Sequence, residues 1–224
     1  MKIFYSMVHT SENNGPGMVS RSCVSERLCC ENALTGLQEA LDGNGNQVVT
    51  ISGGLRGQIR KTNEFIRAAQ SAGERWVSVA LHFNSTPIVE CQQCKKKINA
   101  GIACPSCGAA PATNWKFGHM AMVGRYSLSS AILASMMLDE LSFIMPFSKR
   151  LGTVRLPDEN YKADWPPATF KPAVLIEAGF GCDLNFSDWI KDPNHQKSYG
   201  SAVARAITGY NKLTYDVPAD IWHR

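Results

Sequence analysis

Residues 76–85, WVSVALHFNS, are an apolar, β-branched run that turns polar at His82 and Asn84. Such a run reads as a buried strand, and open α/β sheets keep their chemistry at the carboxyl ends of buried strands. A single strand-end histidine is equally well a structural one bonded to the backbone. What lifts His82 above that reading is the company found for it elsewhere in the chain.

The flanking segments set the fold class. Residues 2–8 form a first strand, ending at His9 and a polar loop, TSENNGPG. A helix over 20–41 follows, then a DGNGN turn, a second strand in QVVTIS, and a second helix over 55–72 with Leu55, Ile59, Ile66 and Ala69 at helical spacing. The order β-α-β-α-β predicts an α/β fold, a mostly parallel twisted sheet flanked by helices.

Further along, 116–123 reads as a strand, with His119 as a strand or core histidine and not a ligand. A third helix over 127–143 presents Leu128, Ile132, Met136 and Phe143 as its stripe. Residues 150–172 hold four prolines and read as a long surface loop. PAVLIEAGFG, 172–181, is another buried strand with Glu177 at its end. A last helix over 195–210 carries Tyr199, Val203, Ala206 and Tyr210 on one face, and the tail to Arg224 is expected to be loosely held.

The most informative pattern lies on the first helix. At about 100° per residue, Cys30, Ala33, Leu37 and Ala40 fall within about 40° of Glu26, with Cys23, Cys29 and Leu41 flanking them at about 60°. Glu26 thus sits at the centre of the apolar face, whereas Glu31 lies on the polar side. An inward carboxylate is costly unless something positive meets it. Arg56 or Arg60 is one candidate partner; a metal ion is the better one.

Eight cysteines divide into two groups. Cys23, Cys29, Cys30 and Cys182 have apolar neighbours and read as packed, reduced thiols. Cys91-Gln-Gln-Cys94 and Cys104-Pro-Ser-Cys107-Gly108, nine residues apart, have the spacing of a four-cysteine zinc site. The segment has too few large apolar side chains to fold on a core, so the metal would supply its folding energy. Four thiolates leave no open position, which makes this zinc structural. Two redox dithiols are the alternative. The 224 residues therefore read as one domain, 1–224, carrying a small inserted zinc-ribbon-like knuckle at 88–111.

Composition bounds the partners. The net charge of +4 suits an anionic polymer and is too small to argue for nucleic acid. No stretch approaches the roughly 20 apolar residues of a membrane span, so no membrane insertion is expected. The N-terminal apolar run of about six residues is shorter than a signal-peptide core. This predicts synthesis in the cytoplasm without a signal peptide.

Collected, the candidate site is His9, Glu26 and His82 with Glu177. Two imidazoles and one carboxylate with an open fourth position are the ligand set of a hydrolytic zinc site, and a second carboxylate serves as its base. Over most of its length outside 91–107 the chain resembles the zinc-dependent N-acetylmuramoyl-L-alanine amidases of bacterial cell-wall remodelling and phage lysis. The resemblance rests on His9 after strand one, Glu26 opening a helix with ALTGL downstream, VALHFN around His82 and Asn84, and PAVLIEAGF around Glu177.

The resemblance implies that His9, Glu26 and His82 hold a catalytic zinc, beside the structural zinc of Cys91, Cys94, Cys104 and Cys107. It implies that Glu177 is the catalytic base and that Asn84 contacts substrate. The substrate would be peptidoglycan, cut between N-acetylmuramic acid and L-alanine, by a monomer acting on the cell wall after release from the cytoplasm, through a holin if the source is a phage. The chain departs from the family pattern at HTSENNGPG, where Gly-rich sequence is usual, and at Ala80, where Ser is usual. Two rivals remain: a zinc carboxypeptidase-like enzyme using His9 and Glu12, and a non-catalytic zinc-ribbon binding protein on an inactive scaffold. The first would ligate through Glu12 instead of Glu26, and the second would hold one zinc instead of two.

Overall fold

A computed structural model describes residues 1–7, 20, 22–43, 45–84, 88–99, 103–110, 117–156 and 169–214. The elements run β1 (Lys2–Ser6), α1 (Glu26–Leu41), β2 (Gln47–Ile51), α2 (Leu55–Ser71), β3 (Trp76–Asn84), β4 (Ile88–Glu90), β5 (Lys97–Asn99), β6 (Gly118–Gly124), α3 (Leu128–Ile144), β7 (Lys149–Leu156), β8 (Ala173–Phe180), α4 (Leu184–Trp189) and α5 (Pro193–Thr214). Six strands form one sheet in the order β2-β1-β3-β8-β6-β7. All neighbours are parallel except β6 and β8, which run antiparallel. This is the mostly parallel, helix-flanked sheet that the β-α-β-α-β order predicts, with β6 and β7 reversed as a pair at one edge. No helix among the described residues is long and apolar enough to cross a membrane.

Strand alternation sorts the side chains into two layers. Val77, Val79, Leu81 and Phe83 of β3 join Ile3, Tyr5, Val174, Ile176 and Ala178 in the main core, which α1, α3 and α5 cover. On the opposite face α2 covers two smaller clusters. One contains Phe4, Ile51, Ile66 and Trp76; the other contains Ala80 and Ala173 beneath Leu55 and Ile59. β3 is buried over all but its last residue because both faces are roofed.

Several sequence expectations change in the structure. The first helix begins at Glu26, six residues later than expected, because Ser25 caps it by accepting from the Leu28 amide at 3.2 Å. Cys23 therefore lies in the preceding turn at φ 63 and is exposed, not packed, and Ala40 is exposed. Along α3 the buried residues are Ser129, Ser130, Leu133, Ala134, Met137, Leu138 and Leu141, while Leu128 and Phe143 are exposed. That helix is apolar almost all round, so hydrophobicity alone sets no phase. Residues 150–156 are not loop but most of β7, an edge strand whose alternation is masked by its polar, half-exposed sequence KRLGTVRL. α4 was not visible in the pattern, being one short turn capped by Asp183.

Candidate active site

β3 and β8 are adjacent and parallel, and their register sets His82 directly beside Glu177. Immediately afterwards a bulge shifts the pairing, so that Asn84 meets Phe180. Both side chains are buried at the carboxyl ends of their strands. Alternation puts them on the α2 side, two residues beyond Ala80 and Leu175 of the cluster under that helix.

The third member arrives from another element. Glu26 is the first residue of α1, where the exposed amides of the helix start favour a carboxylate. It is buried, and its Oε1 lies 2.5 Å from His82 Nδ1. Among the described residues, the inward acid expected from the helical wheel thus meets an imidazole. His9 and Glu12 lie outside the described residues.

Electrostatics tie the three together. Burial opposes the charged form of His82, but the Glu26 hydrogen bond and the nearby Glu177 charge outweigh it, and its pKa rises above 6.5. Burial pushes Glu177 up to about 7; His82 opposes the shift and Glu26 reinforces it. Glu177 Oε2 is buried and has no hydrogen-bond partner among the described residues. Cys30, by contrast, is held neutral by burial and donates its thiol to Leu81 O at 2.8 Å, pinning α1 to β3.

Two supporting groups were not visible as such in the sequence. Tyr199 of α5 was assigned only to packing, yet its hydroxyl lies 3.3 Å from both His82 O and Ile176 O, bracing the two strands that carry the site. Gln58 of α2 is buried and donates from Nε2 to Met7 O, at the end of β1, and to Gly53 O at 2.7 Å. A buried tyrosine hydroxyl or amide must find a partner, which is the only signal that could have flagged either. Asn84 is half-buried at the strand end, its Nδ2 3.8 Å from Met120 Sδ.

The four remaining candidates also converge. The sulfurs of Cys91, Cys94, Cys104 and Cys107 all lie within 4.8 Å of one another.

An open α/β sheet that gathers a histidine–carboxylate pair and a further buried acid at its strand ends places them where sheets of this kind bind their ligands. More particularly, the fold is that of N-acetylmuramoyl-L-alanine amidase catalytic domains. The N-acetylmuramoyl-L-alanine amidase AmiC2 of Nostoc punctiforme superposes with a TM-score of 0.62 at 15% identity, over 95% of this chain and 97% of that one. The catalytic domain of CwlV, an N-acetylmuramoyl-L-alanine amidase from Paenibacillus polymyxa var. colistinus, gives 0.65 at 17%, over 95% and 98%. The catalytic domain of the CD27L endolysin, targeting Clostridia difficile, gives 0.57 at 17%, over 93% and 97%. No protein-family model and no curated protein sequence matches the chain.

Proposed function

We propose that this chain hydrolyses the amide between N-acetylmuramic acid and L-alanine in peptidoglycan, with zinc as its cofactor. The observation that carries the reading is the Glu26–His82 pair, delivered by a helix and a strand to a position directly beside the buried Glu177. The likeness in fold to amidase catalytic domains supports it.

The donors fit the metal. Zinc accepts imidazole nitrogen and carboxylate oxygen, and Glu26 and His82 offer one of each at contact distance. With His9 as third ligand, as the sequence resemblance implies, one position stays open. Zinc bound there supplies Lewis acidity toward the scissile carbonyl and toward water.

Glu177 handles the proton. As a carboxylate it takes one from the attacking water; as the acid it returns that proton to the leaving amine of L-alanine. Its buried carboxyl lies beside His82 on the neighbouring strand, placed to hold that proton between the two transfers. Its Oε2, without a hydrogen-bond partner among the described residues, is available for the transfer. Tyr199 holds the strand carbonyl behind His82. Asn84, beyond the bulge, is where the substrate contact is assigned. The setting we assign is lysis by a phage endolysin, a monomer made in the cytoplasm and released to the wall; the fold likeness to an endolysin catalytic domain is its support.

The test is digestion of purified peptidoglycan with the zinc-loaded protein, scoring new N-terminal L-alanine. Glu177→Gln should lower the rate by about 10²–10⁴-fold with bound zinc unchanged, whereas His82→Ala should lose activity together with one zinc equivalent per chain. Release of single C-terminal amino acids, or full activity in Glu177→Gln, would overturn the assignment.

A further inference from the structure

The two CxxC segments are the same structure built twice. In one, Cys91 N donates to Lys96 O at 2.9 Å and Lys95 N donates to Cys91 O at 2.9 Å. In the other, Cys104 N donates to Ala109 O at 2.8 Å and Gly108 N donates to Cys104 O at 2.8 Å. The residue after each second cysteine is left-handed, Lys95 at φ 59 and Gly108 at φ 71. In each, the amides two and three residues on are aimed at the first sulfur: Gln93 and Cys94 at Cys91, Ser106 and Cys107 at Cys104.

The sulfurs of the two knuckles close on one another, all four within 4.8 Å. Cys91 and Cys107 are 3.6 Å apart, and Cys94 and Cys104 3.5 Å. A disulfide needs about 2.05 Å. The edges of a tetrahedron with zinc–sulfur bonds of about 2.3 Å are about 3.8 Å long. The only large aliphatic side chain in the buried cluster here is Ile98, so packing offers little else to fold the described parts of the segment.

The insertion is also placed with purpose. It leaves the sheet after Asn84 and returns at Gly118; because β6 runs antiparallel to β8, both points lie at the edge that carries His82 and Glu177. Phe117 at the return packs edge-on against Phe180, their ring centroids 5.5 Å apart.

We propose that Cys91, Cys94, Cys104 and Cys107 hold a second zinc ion in a closed, non-catalytic site that braces one wall of the active-site edge. The bracing half of the inference rests on the amidase reading; the metal half does not.

The test uses the full chain, purified in the presence of zinc. His82→Ala should retain one zinc per chain, and exchange of that metal for Co²⁺ should produce thiolate-to-cobalt charge-transfer absorption in the near ultraviolet. The double variant Cys91→Ser/Cys94→Ser should lose that absorption and one zinc equivalent relative to the unsubstituted chain. A His82→Ala protein with no bound metal, or cobalt spectra without thiolate bands, would overturn the site. Should the serine variant fail to fold, the cobalt spectrum of His82→Ala still decides. In a folded serine variant, KM for peptidoglycan should rise several-fold with kcat changed less; unchanged KM removes the bracing role and leaves the metal site standing. A chain that hydrolyses nothing yet gives the expected zinc counts and spectra refutes the amidase reading alone.

Discussion

His119 is the imidazole that geometry takes out of consideration as a ligand. It is fully buried in β6, with Nδ1 3.1 Å from Ser148 Oγ and Nε2 2.9 Å from Ser142 Oγ. Ser142 spends its own proton on Leu138 O at 2.9 Å, so Nε2 must donate to Ser142 and Nδ1 must accept from Ser148. The ring is therefore neutral; burial, reinforced by the Arg150 charge, lowers its pKa to about 4. Between pH 6.5 and 4 the unfolded chain binds more protons than the folded one. The contribution is whole above about 6.5 and drains away as pH falls toward 4, by about 3 kcal/mol at most. Urea midpoints of the native chain and His119→Gln should converge on acidification through this window; a gap independent of pH would refute the account. At this scale the sequence was legible where one residue broke a local pattern: Glu26 on an apolar face, His82 and Glu177 ending apolar runs. What it could not give was the partner. The register that sets His82 beside Glu177, and the reach of Glu26 to His82 Nδ1, join segments far apart in the chain.

Elements were legible in proportion to how strongly burial patterned them. β3, β8 and α5 stand out because two roofed faces or a single stripe leave a clear signature, whereas α3 and β7 carry none. The close contact of α1 with α5 was invisible, since it depends on two glycines chosen for what they lack. A Cβ on Gly200 would lie 1.7 Å from Ala33 O, and one on Gly36 2.0 Å from Lys197 O, both backbone atoms that cannot step aside. Because α1 carries Glu26 at its first position, this crossing also sets how far that carboxylate reaches. Gly200→Ala should cost about 2–3 kcal/mol through forced separation of the helices. Gly209→Ala, on the same helix, meets only the flexible end of Met136 and should be neutral or stabilising by up to about 1 kcal/mol. Chemical denaturation of the two variants separates the explanations: equal losses would mean that helix glycine content, not the crossing, matters.

For the molecule as a whole, the candidate site joins parts of the fold that otherwise touch only through the core. Glu26 belongs to α1, which Cys30 ties to β3 and which packs on α5; His82 belongs to the central strand itself. A metal held by both binds the folded state and not the separated pieces, so its binding energy becomes stability of the entire sheet. At free zinc a hundredfold above the dissociation constant the gain is about 2.7 kcal/mol, which for a chain of this length is a rise in Tm of about 5–10 °C. The cysteine cluster differs in reach. Its buried side chains, Cys91, Ile98 and Cys104, form a cluster separate from the main core, so metal there should protect 88–110 without raising the melting of the sheet. Thermal scans with zinc and with chelator should therefore show a large shift in the native chain and little in His82→Ala. Hydrogen exchange within 88–110 should slow with zinc in both proteins. Equal thermal shifts in the two would mean that the metal acting on the fold is not the one His82 holds, and the site at the strand ends would lose its claim to it.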